Sequence, residues 1–185
     1  MRWPLVAAAA VLAYAAWQWA GQQEEAQQII DETINDLEEL SSEIMSSVTG
    51  YQYSKVPMQY RAAISQAEAL YGLPDQMLAR LLWQECRYRE SIITGKVRSP
   101  AGALGIAQFM PATAAEMGIN PLDPFASIDA AGRYLRSLYR QTNDWSKALA
   151  AYNWGIGNVT RKGMARAPLE TRNYFSQILA DIGLA

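Results

Sequence analysis

One carboxylate in this sequence occupies a position where an apolar side chain would be expected. The predicted helix Asp75–Tyr88 has an apolar stripe of Leu78, Leu81 and Leu82, and Glu85 is the next member of that stripe. Burial disfavours the anion and raises the pKa of a carboxyl group, so such a group can deliver a proton to a leaving oxygen near neutral pH. The pattern is typical of a general acid. The alternative is a Glu at the helix end that reaches solvent or pairs with Arg80, Arg87 or Arg89.

Two further segments carry side chains suited to binding sugars. The loop 99–110 combines two glycines with Gln108, an amide among apolar neighbours that could bind hydroxyl or N-acetyl groups or hold its own loop. Segment 148–157 contains Tyr152 and Trp154, whose flat rings can stack on a pyranose or simply fill the core. Each segment alone is consistent with binding and with ordinary structure.

Composition excludes several kinds of catalytic site. The chain has 185 residues and no histidine, which rules out a Ser-His-Asp triad and the usual His-containing zinc sites. The single cysteine, Cys86, cannot form an internal disulfide and fits a small core residue. Catalysis must use carboxylates or hydroxyls, and we predict neither a metal nor an organic cofactor.

Charge is distributed unevenly along the chain. Residues 21–50 contain eight acidic and no basic residues, a charge of −8, whereas the chain from Tyr51 onward has 15 basic and 10 acidic residues, a balance of +5. The basic part suits an anionic partner such as a cell-wall polymer. It contains no aromatic-and-basic motif of a nucleic-acid-binding domain, so we expect no nucleic-acid partner.

The N-terminal part is expected to consist of two non-catalytic segments. Residues 3–20 carry no charge and have tryptophans at both ends, which predicts a membrane anchor within 1–20. A cleaved signal peptide and a buried soluble helix are the alternatives. Residues 21–56 predict an acidic helical stalk and linker, in which an apolar stripe over 22–48 suits either a spacer or self-association.

Residues 57–185 are predicted to form a mainly α-helical domain. Glycine, proline and capping residues delimit the expected helices. These are Met58–Tyr71, Asp75–Tyr88, a short helix from Pro111 to Gly118, Ile128–Gln141 capped by Ser127, Asp144–Asn153 and Glu170–Ile182. A short extended piece is expected near Ile92–Val97.

Four motifs in order resemble the catalytic domain of the soluble lytic transglycosylases, glycoside hydrolase family 23, which is related to goose-type lysozymes. The motifs are LLWQE ending at Glu85, SPAGALGIAQFMPATA from Ser99, ALAAYNWGIG from Ala148, and ETRNYF from Glu170. The resemblance covers about Gln59 to Leu179. It implies a lysozyme-like helical fold with a groove for peptidoglycan glycan strands.

Site residues are carried over by position in these motifs. The resemblance implies that Glu85 is the catalytic acid and base. It also implies that substrate is bound by Ser99, Gln108, Met110, Ala151, Tyr152, Asn153, Glu170 and Tyr174.

The sequence departs from the family pattern at two places. Cys86 replaces the serine that usually follows the catalytic Glu. The basic stretch 86–98 is several residues longer than usual, which suits either a grip on anionic wall components or a tolerated surface insertion.

The resemblance implies cleavage of the MurNAc–GlcNAc β-1,4 bond by one Glu, with formation of 1,6-anhydro-MurNAc ends. The alternatives are a hydrolytic muramidase of the same fold and a catalytically inactive wall-binding protein. We expect an inner-membrane protein whose catalytic domain lies in the periplasm, or instead a phage virion component that opens the wall during genome delivery.

Overall fold

A computed structural model describes Gln27, Gln28, Ile30, Thr33 and residues 50–185. The four described residues before residue 50, namely Gln27, Gln28, Ile30 and Thr33, are helical and exposed. The predicted anchor in 1–20, and all of the predicted stalk segment 22–48 except those four residues, lie outside this description. No helix within the described residues is both long and apolar enough to span a membrane.

The described part from residue 50 onward is mainly α-helical, as predicted, with two short 3-10 helices, Tyr53–Lys55 and Met164–Arg166. The α-helices are α1 (Met58–Tyr71), α2 (Met77–Cys86), α3 (Glu90–Ile93), α4 (Pro111–Met117), α5 (Pro124–Thr142), α6 (Trp145–Trp154), α7 (Ile156–Lys162) and α8 (Leu169–Asp181).

Helix α2 lies in the centre of the domain, and seven of its ten residues are buried. Its first turn has no side-chain cap of its own. Instead, Glu68 of α1 accepts hydrogen bonds from the backbone N–H groups of Leu78 and Ala79 at 2.9 and 3.2 Å. Because the first N–H groups of a helix lack partners within the helix, a buried carboxylate from another helix satisfies them here.

Tyr88, just beyond the C-terminal end of α2, also contacts the first turn of this helix. Arg87 and Tyr88 both adopt left-handed backbone angles, which turn the chain sharply after Cys86. This turn brings the Tyr88 hydroxyl back to donate to the carbonyl of Ala79 at 2.9 Å. Two side chains from outside α2, those of Glu68 and Tyr88, thus hold the first turn of the helix that carries Glu85.

Helices α1 and α5 pack closely because α5 has a glycine at the crossing. A Cβ atom at Gly132 would lie 2.9 Å from Cδ2 of Tyr71 and 3.3 Å from the Cβ of Ala67. The other face of α5 packs on α6, so that Leu135, Leu138 and Leu149 are fully buried.

Two local predictions were wrong, and one helix was not predicted. The segment near Ile92–Val97 is not extended: Ile92 and Ile93 belong to α3 and are buried, and turns follow. Ser127 does not cap α5, which begins at Pro124 with Asp123 accepting from two backbone N–H groups. Ser127 instead lies buried inside the helix and donates to the Pro121 carbonyl. Helix α7 was not predicted, because its flanking Gly155 and internal Gly157 are typical of a turn.

We predict that Glu68→Ala destabilises the domain by about 2–4 kcal/mol, since two buried N–H groups lose their acceptor. Urea unfolding of the full chain measures the change. Glu68→Gln is the matched control, because its amide oxygen can still accept, and we expect it to cost about 1 kcal/mol. Equal losses in the two variants would contradict the capping role.

The loop 99–110 depends on close backbone approach at Gly105. Its φ is +74°, and a Cβ there would lie 1.8 Å from the Pro121 carbonyl oxygen. We therefore expect Gly105→Ala to cost about 3 kcal/mol or more. Gly102→Ala, where φ is +88° but nothing lies within 4 Å, should cost only about 1–2 kcal/mol. Calorimetric melting compares them, and indistinguishable melting temperatures would refute the steric argument.

Candidate active site

Glu85 lies near the C-terminal end of α2, partly buried, as the apolar stripe predicted. Its Oε1 accepts a hydrogen bond of 2.5 Å from the hydroxyl of Tyr174. Burial raises the pKa of Glu85 to about 7, and the hydrogen bond from Tyr174 opposes that rise. The residue is therefore close to half-protonated at neutral pH, as required of a group that first donates and then accepts a proton.

The alternative interpretation of Glu85, as a partner of a nearby arginine, does not fit the structure. Arg80 is fully buried, but it pairs with Asp181 of α8 and donates from Nη1 to Gln84 at 2.9 Å. No arginine of the described residues contributes to the pKa shift of Glu85.

Tyr174 is buried on α8, and its position depends on the contact between α8 and α2. Asp181 is seven residues further along the same helix, two turns away on the same face, and forms the buried ion pair with Arg80. Burial, followed by the negative charge of Glu85, raises the pKa of Tyr174 well above its usual value. The Tyr174 hydroxyl consequently remains a hydrogen-bond donor at any physiological pH.

Tyr152 of α6 connects the second motif to the third. Its hydroxyl donates to the carbonyl of Ala107 at 3.0 Å, and its ring lies 6.1 Å from Phe109 and 5.5 Å from Tyr134. Burial raises the pKa of Tyr152 well above its usual value, and the charge of Glu85 adds to the shift. Glu85, Tyr152 and Tyr174 thus form one electrostatically coupled group.

The three predicted binding residues of the loop 99–110, namely Ser99, Gln108 and Met110, have different environments. Ser99 accepts from the N–H of Ala103 at 2.9 Å, so its hydroxyl stabilises the loop. Gln108 has a left-handed backbone and donates from Nε2 to the carbonyl of Gly105 at 2.8 Å. Its amide has a second N–H and an acceptor oxygen in addition to that bond. Met110 precedes α4 and is 43% exposed, which makes it accessible to a ligand.

The remaining predicted residues differ in exposure. Ala151 is fully buried and can act only through its small size. Asn153 is exposed and accepts from the Thr171 hydroxyl at 2.7 Å, which joins α6 to α8. Glu170 is exposed in the first turn of α8.

No second carboxylate shifts the pKa of Glu85 within the described residues. Asp123, another acid of the domain, is a helix cap. Glu90, Glu116 and Asp129 lie within α3, α4 and α5. The described residues also contain no cluster of three or more acidic, cysteine or histidine side chains that could hold a metal ion.

Cys86 directly follows Glu85 on α2 and is buried. Its thiol donates to the carbonyl of Leu82 at 3.4 Å, and burial raises its pKa to about 12. The thiol therefore occupies the helix end as a neutral hydrogen-bonding group.

The lengthened stretch 86–98 is ordered by local contacts. Its first arginine, Arg87, places its guanidinium 5.0 Å from the centre of the Trp83 ring. Helix α3 buries Ile92 and Ile93, and the N–H of Val97 donates to the carbonyl of Ser91 at 2.8 Å. Lys96 and Arg98 are exposed at its end.

Sequence reasoning missed the residues that support the site from behind. Glu68 caps α2, and the pair Arg80–Asp181 joins α2 to α8. An arginine within a helix whose neighbours are nearly all apolar was a signal for a buried ion pair, but the partner lies 101 residues away in sequence.

The comparison with solved structures supports the lysozyme-like helical fold. The lytic transglycosylase Slt of Pseudomonas aeruginosa superposes with a TM-score of 0.57 and 25% identity over 69% of this chain and 24% of that one. The 70 kDa soluble lytic transglycosylase of Escherichia coli gives 0.55 and 28% over the same shares.

Sequence relatives come from phages and bacteria. The transglycosylase of Enterobacteria phage PRD1 is 29% identical over 69% of this chain and 44% of its own length. The membrane-bound lytic murein transglycosylase F 2 of Alkalilimnicola ehrlichii is 32% identical over 57% of this chain and 24% of its own. The chain thus spans less than half the length of these relatives.

A family model described as the transglycosylase SLT domain matches residues 62–175, a range that contains Glu85, Tyr152 and Tyr174. Because this match covers more than half of the chain, the protein belongs to the transglycosylase SLT family.

Proposed function

We propose that this protein is a peptidoglycan lytic transglycosylase that cleaves the MurNAc–GlcNAc β-1,4 bond and forms 1,6-anhydro-MurNAc ends. The observation that carries the proposal is the state of Glu85. Burial raises its pKa to about 7, the hydroxyl of Tyr174 contacts it, and no other described carboxylate affects it.

The proposed reaction uses Glu85 twice. As the bond between C1 of MurNAc and the bridging oxygen breaks, protonated Glu85 gives its proton to that oxygen, which leaves on GlcNAc. The ionised carboxylate then takes the proton of the MurNAc 6-hydroxyl, whose oxygen forms the new bond to C1. Glu85 ends as it began, protonated, and no water is consumed.

A single carboxyl group distinguishes this route from ordinary glycoside hydrolysis. Retaining and inverting glycosidases both use a second carboxylate, about 5–5.5 Å or 6.5–9.5 Å from the first. Because the attacking group in the proposed reaction belongs to the substrate, one acid and base suffices. A hydrolytic muramidase of the same fold is the alternative, in which water attacks C1.

Tyr174 suits a role in stabilising Glu85 in its ionised state. Its hydroxyl donates to the carboxylate, so it favours the anion that forms when the bridging oxygen takes the proton. Tyr152 fixes the carbonyl of Ala107 next to Gln108. Substrate contact is proposed for Gln108, Met110 and Asn153.

Other residues of the motifs are proposed to support substrate binding without direct contact. Ser99 holds the loop through the N–H of Ala103, and Ala151 is fully buried in α6, where its small side chain permits close packing. Glu170, exposed at the start of α8, is proposed to act near the groove's edge.

Cys86 gives no reason to propose an inactive wall-binding protein. The buried thiol hydrogen-bonds to Leu82 of its own helix, while Oε1 of Glu85 accepts from Tyr174. The substitution therefore leaves this contact of the catalytic carboxyl in place.

The setting we propose is the bacterial envelope, with residues 3–20 as the membrane anchor and 22–48 as stalk or self-association segment. Relatives named as membrane-bound enzymes support this setting, and those from phages PRD1 and T7 support the alternative of a virion component. Mass spectrometry of the mature protein, from membranes and from purified particles, tests whether residues 1–20 remain and where the protein resides.

We predict that digestion of sacculi yields anhydro ends, each lighter by one water than a hydrolysed reducing end. Glu85→Gln should lower the rate by at least about 10²–10⁴, since it removes the acid and base. Mass spectrometry of the released muropeptides measures both. Asp75→Asn, on the exposed turn before α2, is the control and should keep full activity. Hydrolysed ends would identify a muramidase instead, and activity of Glu85→Gln would exclude Glu85 as the acid.

The pH dependence of kcat/KM should reflect the raised pKa of Glu85. The acid must be protonated to donate, so we expect activity to fall as pH rises through about 7. Tyr174→Phe removes a bond that favours the anion, so the fall should move to higher pH.

Tyr60→Phe is the control for the pH profile. It removes a hydroxyl from a ring that stacks on Tyr88 and contacts Phe125, and the profile should not move. A Tyr174→Phe profile that is unchanged or shifted to lower pH would contradict the assigned role of that hydrogen bond.

A further inference from the structure

A groove between α1 and α5 has a basic end. Three arginines of α5 and the last residues of α1 line a cavity of about 550 Å³. The arginines are Arg133, Arg136 and Arg140, and Ser137 lies among them. Spacings of three, four and seven residues place all four side chains on one stripe of the helix.

Two of these arginines are available to a ligand. Arg133 and Arg140 are exposed, and neither makes an ion pair with an acid in the described part of the chain. Arg136 is held in place: its guanidinium lies 5.2 Å from the centre of the Tyr139 ring, and Nη1 is 3.5 Å from the Gly72 carbonyl. The groove thus combines one positioned cation with two exposed ones.

The groove continues into a mixed apolar and acidic section. Leu70 lines both this section, a cavity of about 270 Å³, and the basic end. Leu70 and Phe125 are 66% and 52% exposed, an unusual exposure for large apolar side chains in a concave surface. Asp129 lines this section and accepts at 2.7 Å from the hydroxyl of Tyr71, which lines the basic end.

This groove is separate from the site around Glu85. Tyr134 is the α5 residue that contacts Tyr152 of that site. At about 100° per residue, Tyr134 leaves the helix roughly 100° or more from Arg133, Arg136 and Arg140. The groove also lies away from the buried Ala131 and Leu135, on the solvent side of α5.

We propose that the groove between α1 and α5 is an accessory site for the acidic peptide stems of peptidoglycan, an inference that rests on the proposed function. Arginine forks bind carboxylates through paired hydrogen bonds, and a stem offers several free carboxylates. The exposed Leu70 and Phe125 suit alanine methyl groups of the same peptide. The carboxylate of Asp129 suits an ammonium group of the stem, and it would repel a ligand that carries only negative charge.

Such a site would increase residence on the wall without contributing to bond cleavage. Glycan in the catalytic groove and a stem in the second groove would be bound together, and each contact raises the local concentration of the other. The arrangement favours glycan strands that still carry their peptides.

The test measures binding of the full chain to sacculi, with Glu85→Gln present throughout so that no glycan is cleaved. Arg133→Gln/Arg140→Gln should weaken binding to intact sacculi about three- to tenfold at low salt, as expected for two exposed ion pairs. Binding to sacculi whose stems an amidase has removed should change less than about twofold. Lys147→Gln/Arg166→Gln removes two exposed cations elsewhere and should leave both values unchanged.

Three outcomes would overturn the site. Equal weakening on stripped glycan would assign the arginines to glycan or to general charge. Binding to vesicles of anionic phosphatidylglycerol is measured in parallel. If the double variant bound these vesicles more weakly but sacculi unchanged, the arginines would be assigned to lipid phosphate. Unchanged binding everywhere would leave them as solvated charges at a helix end.

The proposed function is tested separately. Arg133→Gln/Arg140→Gln with an intact Glu85 should cleave stripped glycan at the rate of the unaltered protein. If the unaltered protein produced no anhydro ends while the stem-dependent binding difference persisted, the proposed function would fail and the peptide site would stand.

Discussion

The burial of one carboxyl group is the constraint on which this structure depends. Glu85 must be surrounded closely enough for its pKa to rise, yet remain open to a ligand on one side. Burial alone would hold the group protonated and prevent it from acting as a base. The Tyr174 hydroxyl limits that effect, and because Tyr174 comes from a different helix, the chemistry at Glu85 depends on how α8 lies against α2.

The polar contacts around α2 can be understood as the support for that geometry. Glu68 accepts from N–H groups in the first turn of α2, and Tyr88, which follows the end of the helix, donates to the carbonyl of Ala79 in that turn. Arg80 pairs with Asp181 on α8. A buried ion pair gives little net stability compared with apolar packing, but loss of one partner is costly. Together with the Glu85–Tyr174 bond, it connects α2 to α8.

The sequence predicted best what depends on local chemistry. Glycine and proline located the ends of α1 and α4, and the stripe through Leu78, Leu81 and Leu82 located Glu85. It predicted the start of α5 poorly, because two residues compete for the cap. Asp123 and Ser127 are both good caps, and Pro124 makes the earlier start favourable. For contacts between distant segments the local pattern is incomplete: the apolar neighbours of Arg80 indicate a buried ion pair, but nothing local identifies Asp181 as its partner. The identity of the motifs supplied what spacing could not, namely that Glu85, Tyr152 and Tyr174 belong to one site.

The placement of Cys86 has a consequence for how the protein tolerates its surroundings. Attack on a disulfide or an oxidant requires the thiolate, and burial with a pKa of about 12 keeps the amount of thiolate negligible. A folded chain with this single, enclosed sulfur cannot readily crosslink to a second copy through Cys86. Residue 86 therefore places no reactive thiol next to Glu85, even where the surroundings are oxidising.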